Sequence, residues 1–122
     1  MIVSSKSSSA SSSAARIVAL AAALVLVGGT AAVAADAVAL WDKNCASCHG
    51  KDGKAKTKMG EKLKCRDLTD PAVKAKVDKT AVMNSMKNGV KDEAGKVVMK
   101  AYTEKLSEEE MQVLTDYTLG LK

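Results

Sequence analysis

A mostly helical single domain is what this 122-residue sequence predicts, and three observations predict it. Apolar residues recur three and four positions apart in several segments, each bounded by residues that start or stop helices. No segment carries a credible strand pattern, the Val97-Val98 pair being too short to count. The chain also holds one Trp, two Tyr and no Phe, too few large rings to fill the interior of even a small domain. Something other than side chains is therefore expected at the centre.

The first 35 residues stand apart from that domain. Residues 1 to 16 are serine-rich, carry Lys6 and Arg16 and contain no acid; Ile17 to Val27 is wholly apolar; Ala32-Val33-Ala34 then offers a small-x-small cleavage site. That order is the one of a secretory signal peptide, so residues 1–35 are expected to be cleaved and 36–122 to form the working domain. An uncleaved membrane anchor is the alternative, because nothing charged interrupts Ile17 to Ala35, although its many alanines make a weak span. Export implies a periplasmic location. The remaining 87 residues carry 17 basic and 14 acidic side chains, a mildly positive surface that does not suit a nucleic-acid binder. At this size a purely proteinaceous core is only marginally stabilising.

Taken in order, the elements read as follows. Val38, Trp41 and Cys45 form a narrow apolar seam that continues into Cys48, predicting one helix over 36–48 stopped by Gly50 and Gly53. Residues 51 to 66 are lysine-rich and read as a loop with at most one helical turn. Asp70-Pro71 is an N-cap followed by proline at the first helical position, opening a short helix through Val77. Val82, Met83 and Met86 lie at helical spacing over 79–88, and Asn88-Gly89 ends that segment. From Val90 to Lys105 no helical period is sustained, and a loop is expected around an Ala94-Gly95 turn. Ser107 and Glu110 then form a capping box, with Leu106 and Met111 at the hydrophobic-staple positions and Leu114, Tyr117 and Leu121 continuing one apolar face.

The chemistry lies in Cys45-Ala46-Ser47-Cys48-His49. On a helix these cysteines and the histidine sit at i, i+3 and i+4, so both thiols and the imidazole share a face. Three chemistries fit. C-x-x-C-H is the attachment string for covalent haem c, in which both thiols become thioethers and the histidine an axial iron ligand; the missing aromatic core supports this independently. A zinc site could recruit Cys45, Cys48, His49 and Cys65, but adjacent ligands at 48 and 49 strain a tetrahedron. A thioredoxin-like dithiol would need a βαβ context that is absent. Three cysteines cannot all pair within one molecule, which argues against a disulfide framework, and the leftover Cys65 is expected to pack as a small, inert hydrophobe.

"LWDKNCASCHGKDGK" followed much later by "VVMKAYTEKLSEEEMQVLTDYTLGL" resembles a class I monohaem c-type cytochrome of the small bacterial soluble kind, over nearly all of residues 36 to 122. That resemblance implies the small cytochrome c fold: three to five helices wrapped around one covalently bound haem, with the N- and C-terminal helices crossing near Trp41 and Tyr117. It also implies that the sixth iron ligand is a methionine from the loop before the last helix. Among the methionines, Met83 and Met86 belong to a helical stripe, Met111 to the staple, and Met59 follows His49 by only ten residues; Met99, fifty residues beyond His49, has the chain length to reach the other haem face. The expected site is thus Cys45 and Cys48 for covalent attachment, with His49 and Met99 as axial ligands. Two features depart from the family pattern: Lys100 stands where proline often follows the ligand methionine, and Gly60 has no following proline to supply a carbonyl to the proximal histidine.

A haem iron ligated on both faces has no open position for substrate, so the expectation is an electron carrier and not an enzyme. The alternatives are a haem-based ligand binder or sensor in which the methionine is displaced, and a dedicated electron-transfer subunit of one oxidoreductase complex. Seven basic residues between Lys51 and Arg66, set against Asp52 and Glu61, suit redox partners with an acidic docking surface, while the acids concentrate between Glu104 and Asp116. A monomer is expected.

Overall fold

A computed structural model describes residues 29–122, with side chains from Asp36 onward. The elements are α1 (Gly29–Asn44), α2 (Ala46–His49), α3 (Lys58–Lys62), α4 (Pro71–Lys74), α5 (Lys79–Asn88), β1 (Val90–Lys91), β2 (Val97–Met99) and α6 (Glu108–Gly120). The expected leader lies outside the described residues up to position 28; α1 begins within its last part, at Gly29. Among the described residues no helix is long and apolar enough to cross a membrane.

The terminal helices cross as expected. α6 packs on both α1 and α5, and the Trp41 and Tyr117 rings meet at a centroid distance of 5.3 Å. The buried cluster consists of Trp41, Val82, Met86, Leu106, Met111, Leu114 and Leu121. α6 is built as its sequence dictates: Ser107 accepts from the Glu110 N–H, the Glu110 carboxylate accepts from the Ser107 N–H, and Leu106 and Met111 are both buried at the staple. Thr115 and Thr118 enter this core by donating their hydroxyls to the carbonyls of Met111 and Leu114, which satisfies the polar atoms within the helix.

Four expectations need correcting. The helix expected over 36–48 is two helices, α1 and α2, parted by a turn at Cys45, whose φ widens to −119°. The seam on α1 does not pass through Val38, which is 45% exposed; Ala37, one position away, is buried together with Trp41, so the indole selects the i, i+4 face. The helix after Asp70-Pro71 ends at Lys74, after which the chain tightens into i→i+3 bonds from Lys76 to Val73 and from Val77 to Lys74. The expected loop over 90–105 contains two short antiparallel strands, β1 and β2, with Val90 opposite Met99. Asp92 closes their turn by accepting from the N–H groups of Ala94 and Lys96, while Gly95 holds φ 80°. Strands this short carry no alternation to read. The helical class itself stands, with this hairpin as a local addition.

Candidate functional site

Residues 41 to 60 form a braced segment. Trp41 donates its indole N–H to the carbonyl of Gly50 at 2.9 Å, tying the end of α1 to the turn beyond His49, and its ring lies 5.9 Å from the imidazole. Gly50 ends α2 at φ 76°, and the Ala55 N–H then donates back to the His49 carbonyl at 2.8 Å. Thr57 caps α3 by accepting from the Gly60 N–H while its hydroxyl donates to the Cys48 carbonyl, both at 2.8 Å. At Gly60 a Cβ would lie 2.4 Å from the Cys48 carbonyl oxygen and 2.5 Å from that of Ala55. Only glycine lets α3 approach the motif this closely.

The motif opens onto a cavity of about 540 Å³, within the roughly 300–1,000 Å³ usual for cofactor sites. Cys45, Cys48 and His49 line it, as do Met99 at the end of β2, Val82 and Met86 from α5, and Tyr102. All four expected site residues therefore share one cavity, with Met99 ending a strand where a loop was expected. Met86 also belongs to the buried core, whereas Met59 stands at the wall 44% exposed. Cys65, expected to pack as a small, inert hydrophobe, is half-buried and lies in the same wall. Although Cys45, Cys48, His49 and Cys65 share the cavity, they do not gather into a group that could hold an ion, so the zinc alternative is not assembled. A second cavity of about 180 Å³, lined by Leu68, Val73, Lys74, Val77, Thr118 and Leu119, contains no thiol or imidazole.

Electrostatics fit a neutral donor set in an apolar wall. Burial lowers the His49 pKa and so favours the neutral imidazole, the form that ligates metals. Its Nδ1 is buried without a hydrogen-bond partner, in keeping with the missing proline after Gly60. Burial first, and then neighbouring Cys48, pushes the Cys45 thiol up to about 11. Burial raises Cys65 too, again with Cys48 adding to the effect. Tyr102 is raised by burial and by the two motif cysteines, and its hydroxyl donates to the Asn44 carbonyl at 2.8 Å. The charged side chains of the wall are Lys64, Arg66, Lys76 and Lys100, with no Asp or Glu among them. A flat apolar ligand bearing anionic groups at its edge, with a metal centre that takes nitrogen and sulfur donors, matches this wall; haem is such a ligand.

Crossing terminal helices closed around an apolar cavity, with C-x-x-C-H in its wall, make the architecture of a small c-type cytochrome. The family model described as "Cytochrome C oxidase, cbb3-type, subunit III" matches residues 32–117, and the chain belongs to this cytochrome c family. Among solved structures it is similar to the "KustC0563 c-type cytochrome", with 30% identity and a TM-score of 0.62 over 71% of this chain and 98% of that one. It is likewise similar to a point mutant of Kustc0563, with 30% identity and a TM-score of 0.60 over 71% of this chain and 99% of that one. No curated protein sequence matches it. Membership makes the chain a haem-based electron carrier rather than an enzyme.

Sequence reasoning missed the residues that brace the site. The Thr57 cap and the close approach at Gly60 were hidden in a lysine-rich stretch that composition marks as loop, although T-K-M-G-E, with threonine ahead of a lone methionine, was a short-helix signal. Tyr102, whose partner lies 58 positions away, left no local signal.

Proposed function

We propose that the chain carries single electrons in the periplasm on one covalently attached haem c. Cys45 and Cys48 form the thioethers, and His49 and Met99 are the axial ligands. The observation that carries this reading is that these four side chains, from two distant stretches of sequence, line one mostly apolar cavity. When bound, haem supplies a one-electron couple, and sulfur ligation sets its potential above that of a two-histidine centre. The protein's own contribution is positional. Trp41, Thr57 and Gly60 hold the motif backbone, and Tyr102 ties the chain beyond β2 to the end of α1.

Residues 1–35 are read as a cleaved export signal and 36–122 as the monomeric carrier domain. The matched c-type cytochrome is covered over 98% of its length by this chain, which supports a free-standing single domain. The family description also supports a second reading, a dedicated subunit of an oxidase complex. Exposed Lys51, Lys54, Lys56, Lys58 and Lys62 favour a redox partner with an acidic face. Reaction with an acidic redox protein is expected to slow steeply from low to physiological salt; a rate indifferent to salt contradicts the docking assignment.

The experiment for the haem reading is a reduced-minus-oxidised visible spectrum of the exported protein together with its alkaline pyridine haemochrome. The expected result is a haemochrome of the thioether-linked type in a ratio of one haem per chain. Haem that passes into acid-acetone, leaving a colourless polypeptide, contradicts covalent attachment.

A further inference from the structure

Between α4 and α6 the fold leaves a gap that haem binding does not use. α6 packs broadly on α1 and α5, whereas α4 makes no packing of that extent with it. The two are joined at one edge instead, where the Lys74 ammonium donates to the carbonyl of Leu121, the C-cap of α6. The cavity of about 180 Å³ lies behind this tie. Val73 and Lys74 enter its wall from α4, Leu68 and Val77 from the chain on either side, and Thr118 and Leu119 from α6.

The wall is suited to an uncharged guest. Leu68, Val73, Val77 and Leu119 are aliphatic, and the two polar side chains are already engaged: Thr118 donates its hydroxyl to the Leu114 carbonyl at 2.7 Å, and Lys74 donates to Leu121. Among the described residues, the buried side-chain polar atom without a partner is His49 Nδ1, which belongs to the other cavity. No side chain of this wall therefore calls for an ordered water. An apolar cavity of about 150 Å³ stays dry and accepts a guest of the size of benzene or xenon. Thr118 is buried while the other five residues are half-buried, which gives the cavity a floor on α6 and a mouth to solvent.

Leu68, Val77 and Thr118 line this cavity and the principal one as well. A single layer of side chains thus separates the two spaces. We propose that the α4–α6 cavity is a binding site for one small uncharged apolar molecule, from a gas atom to a single aromatic ring, held one side-chain layer from the principal cavity. Its occupancy is passed to that cavity through Leu68 and Val77, whose side chains face both. None of Cys45, Cys48, His49 and Met99 contributes to this wall, so the site is independent of the haem ligand assignment.

The test is a methyl-resolved NMR titration of the reduced, haem-loaded full chain under rising xenon pressure. Val73 and Leu119 line the small cavity alone, Val98 lines the principal cavity alone, and Leu68 and Val77 line both. The Val73 and Leu119 methyls are expected to shift along a saturating curve, with Leu68 and Val77 following the same curve and Val98 unmoved. Val73→Phe, which fills the space, is expected to abolish saturation at Leu119; Val73→Leu adds less bulk, keeps the test open where the larger ring disturbs α4, and is expected to weaken it. Shifts that rise linearly with pressure overturn the proposal, as does saturation confined to Val98, which would put xenon in the principal cavity. Unchanged saturation at Leu119 in both Val73 variants overturns it too. Wall methyls that answer to butyrate and not to xenon would replace the apolar guest with an anion held by Lys74.

Discussion

Cys48 and His49 lie in a segment whose backbone is answered from several directions, whereas Met99 ends a three-residue strand paired with one of two residues across an irregular register. On the imidazole side, the indole of Trp41, the hydroxyl of Thr57, the Ala55 N–H and the bare Cα of Gly60 all converge within twenty residues of sequence. On the Met99 side, the stays come from further off: the Tyr102 N–H donates to the Met86 carbonyl, its hydroxyl donates to the Asn44 carbonyl, and Gly89 at φ 72° passes close beneath the Met99 carbonyl. One wall is fixed by local sequence and the other by tertiary packing. The first should resist perturbation or fail as a unit; on the second, the proposed methionine ligand should be lost before the fold yields.

The largest test removes what the two walls share. Replacing Cys45 and Cys48 together by Ala is expected to abolish haem retention after acid-acetone extraction and to erase the cooperative thermal transition, because α1, α5 and α6 are left around an unfilled apolar cavity. Retained cooperativity in the haem-free variant would show that the helices do not depend on the ligand.

Gly60→Ala breaks the braced wall. The added Cβ meets two backbone carbonyl oxygens that cannot rotate away, so the loss of stability should reach about 3 kcal/mol, the upper part of the usual overpacking range, measured by urea denaturation of the holoprotein. The proposed Met99 ligation should survive it, since β2 does not touch α3 through this glycine. A cost below about 1 kcal/mol would show that α3 can move away from the motif freely.

Gly89→Ala perturbs the other wall, and the pattern should reverse. Its positive φ and a Cβ 2.6 Å from the Met99 carbonyl oxygen predict a smaller loss, about 1–2 kcal/mol, because the short hairpin can shift. The ferrous protein should then bind carbon monoxide at neutral pH where the parent does not. Equal resistance of both proteins to carbon monoxide would remove the proposed difference between the walls.

How much of this was legible in the sequence follows the same division. The C-x-x-C-H string and the Ser107–Glu110 box are both local signals; the box forms as its residues dictate, while the helix expected to run into the motif is interrupted at Cys45. Asp70-Pro71 starts its helix correctly, but beyond Lys74 the chain tightens into i→i+3 bonds that bring Val77 against the core, a local change of pitch that periodicity does not foretell. Val38 misled because periodicity in an alanine-rich helix is weak, and the one large ring, Trp41, decides the buried face. The β1–β2 pairing and the placement of Tyr102 depend on partners brought together by the fold, and neither leaves a pattern of its own. Lys64 and Arg66 read in the sequence as the end of one basic run, and only the fold places them in the cavity wall and the lysines before them outside it.

The most direct test of the account is the weak near-infrared band that methionine sulfur gives on ferric haem, recorded for the oxidised full chain and for Met99→Ala, Met86→Ala and Met59→Ala. The account predicts the band in the parent, its loss in Met99→Ala alone, and its persistence in the other two. A band that survives in Met99→Ala and disappears in Met59→Ala or Met86→Ala would contradict the assignment of the second axial ligand and with it the division between a fixed and a yielding wall.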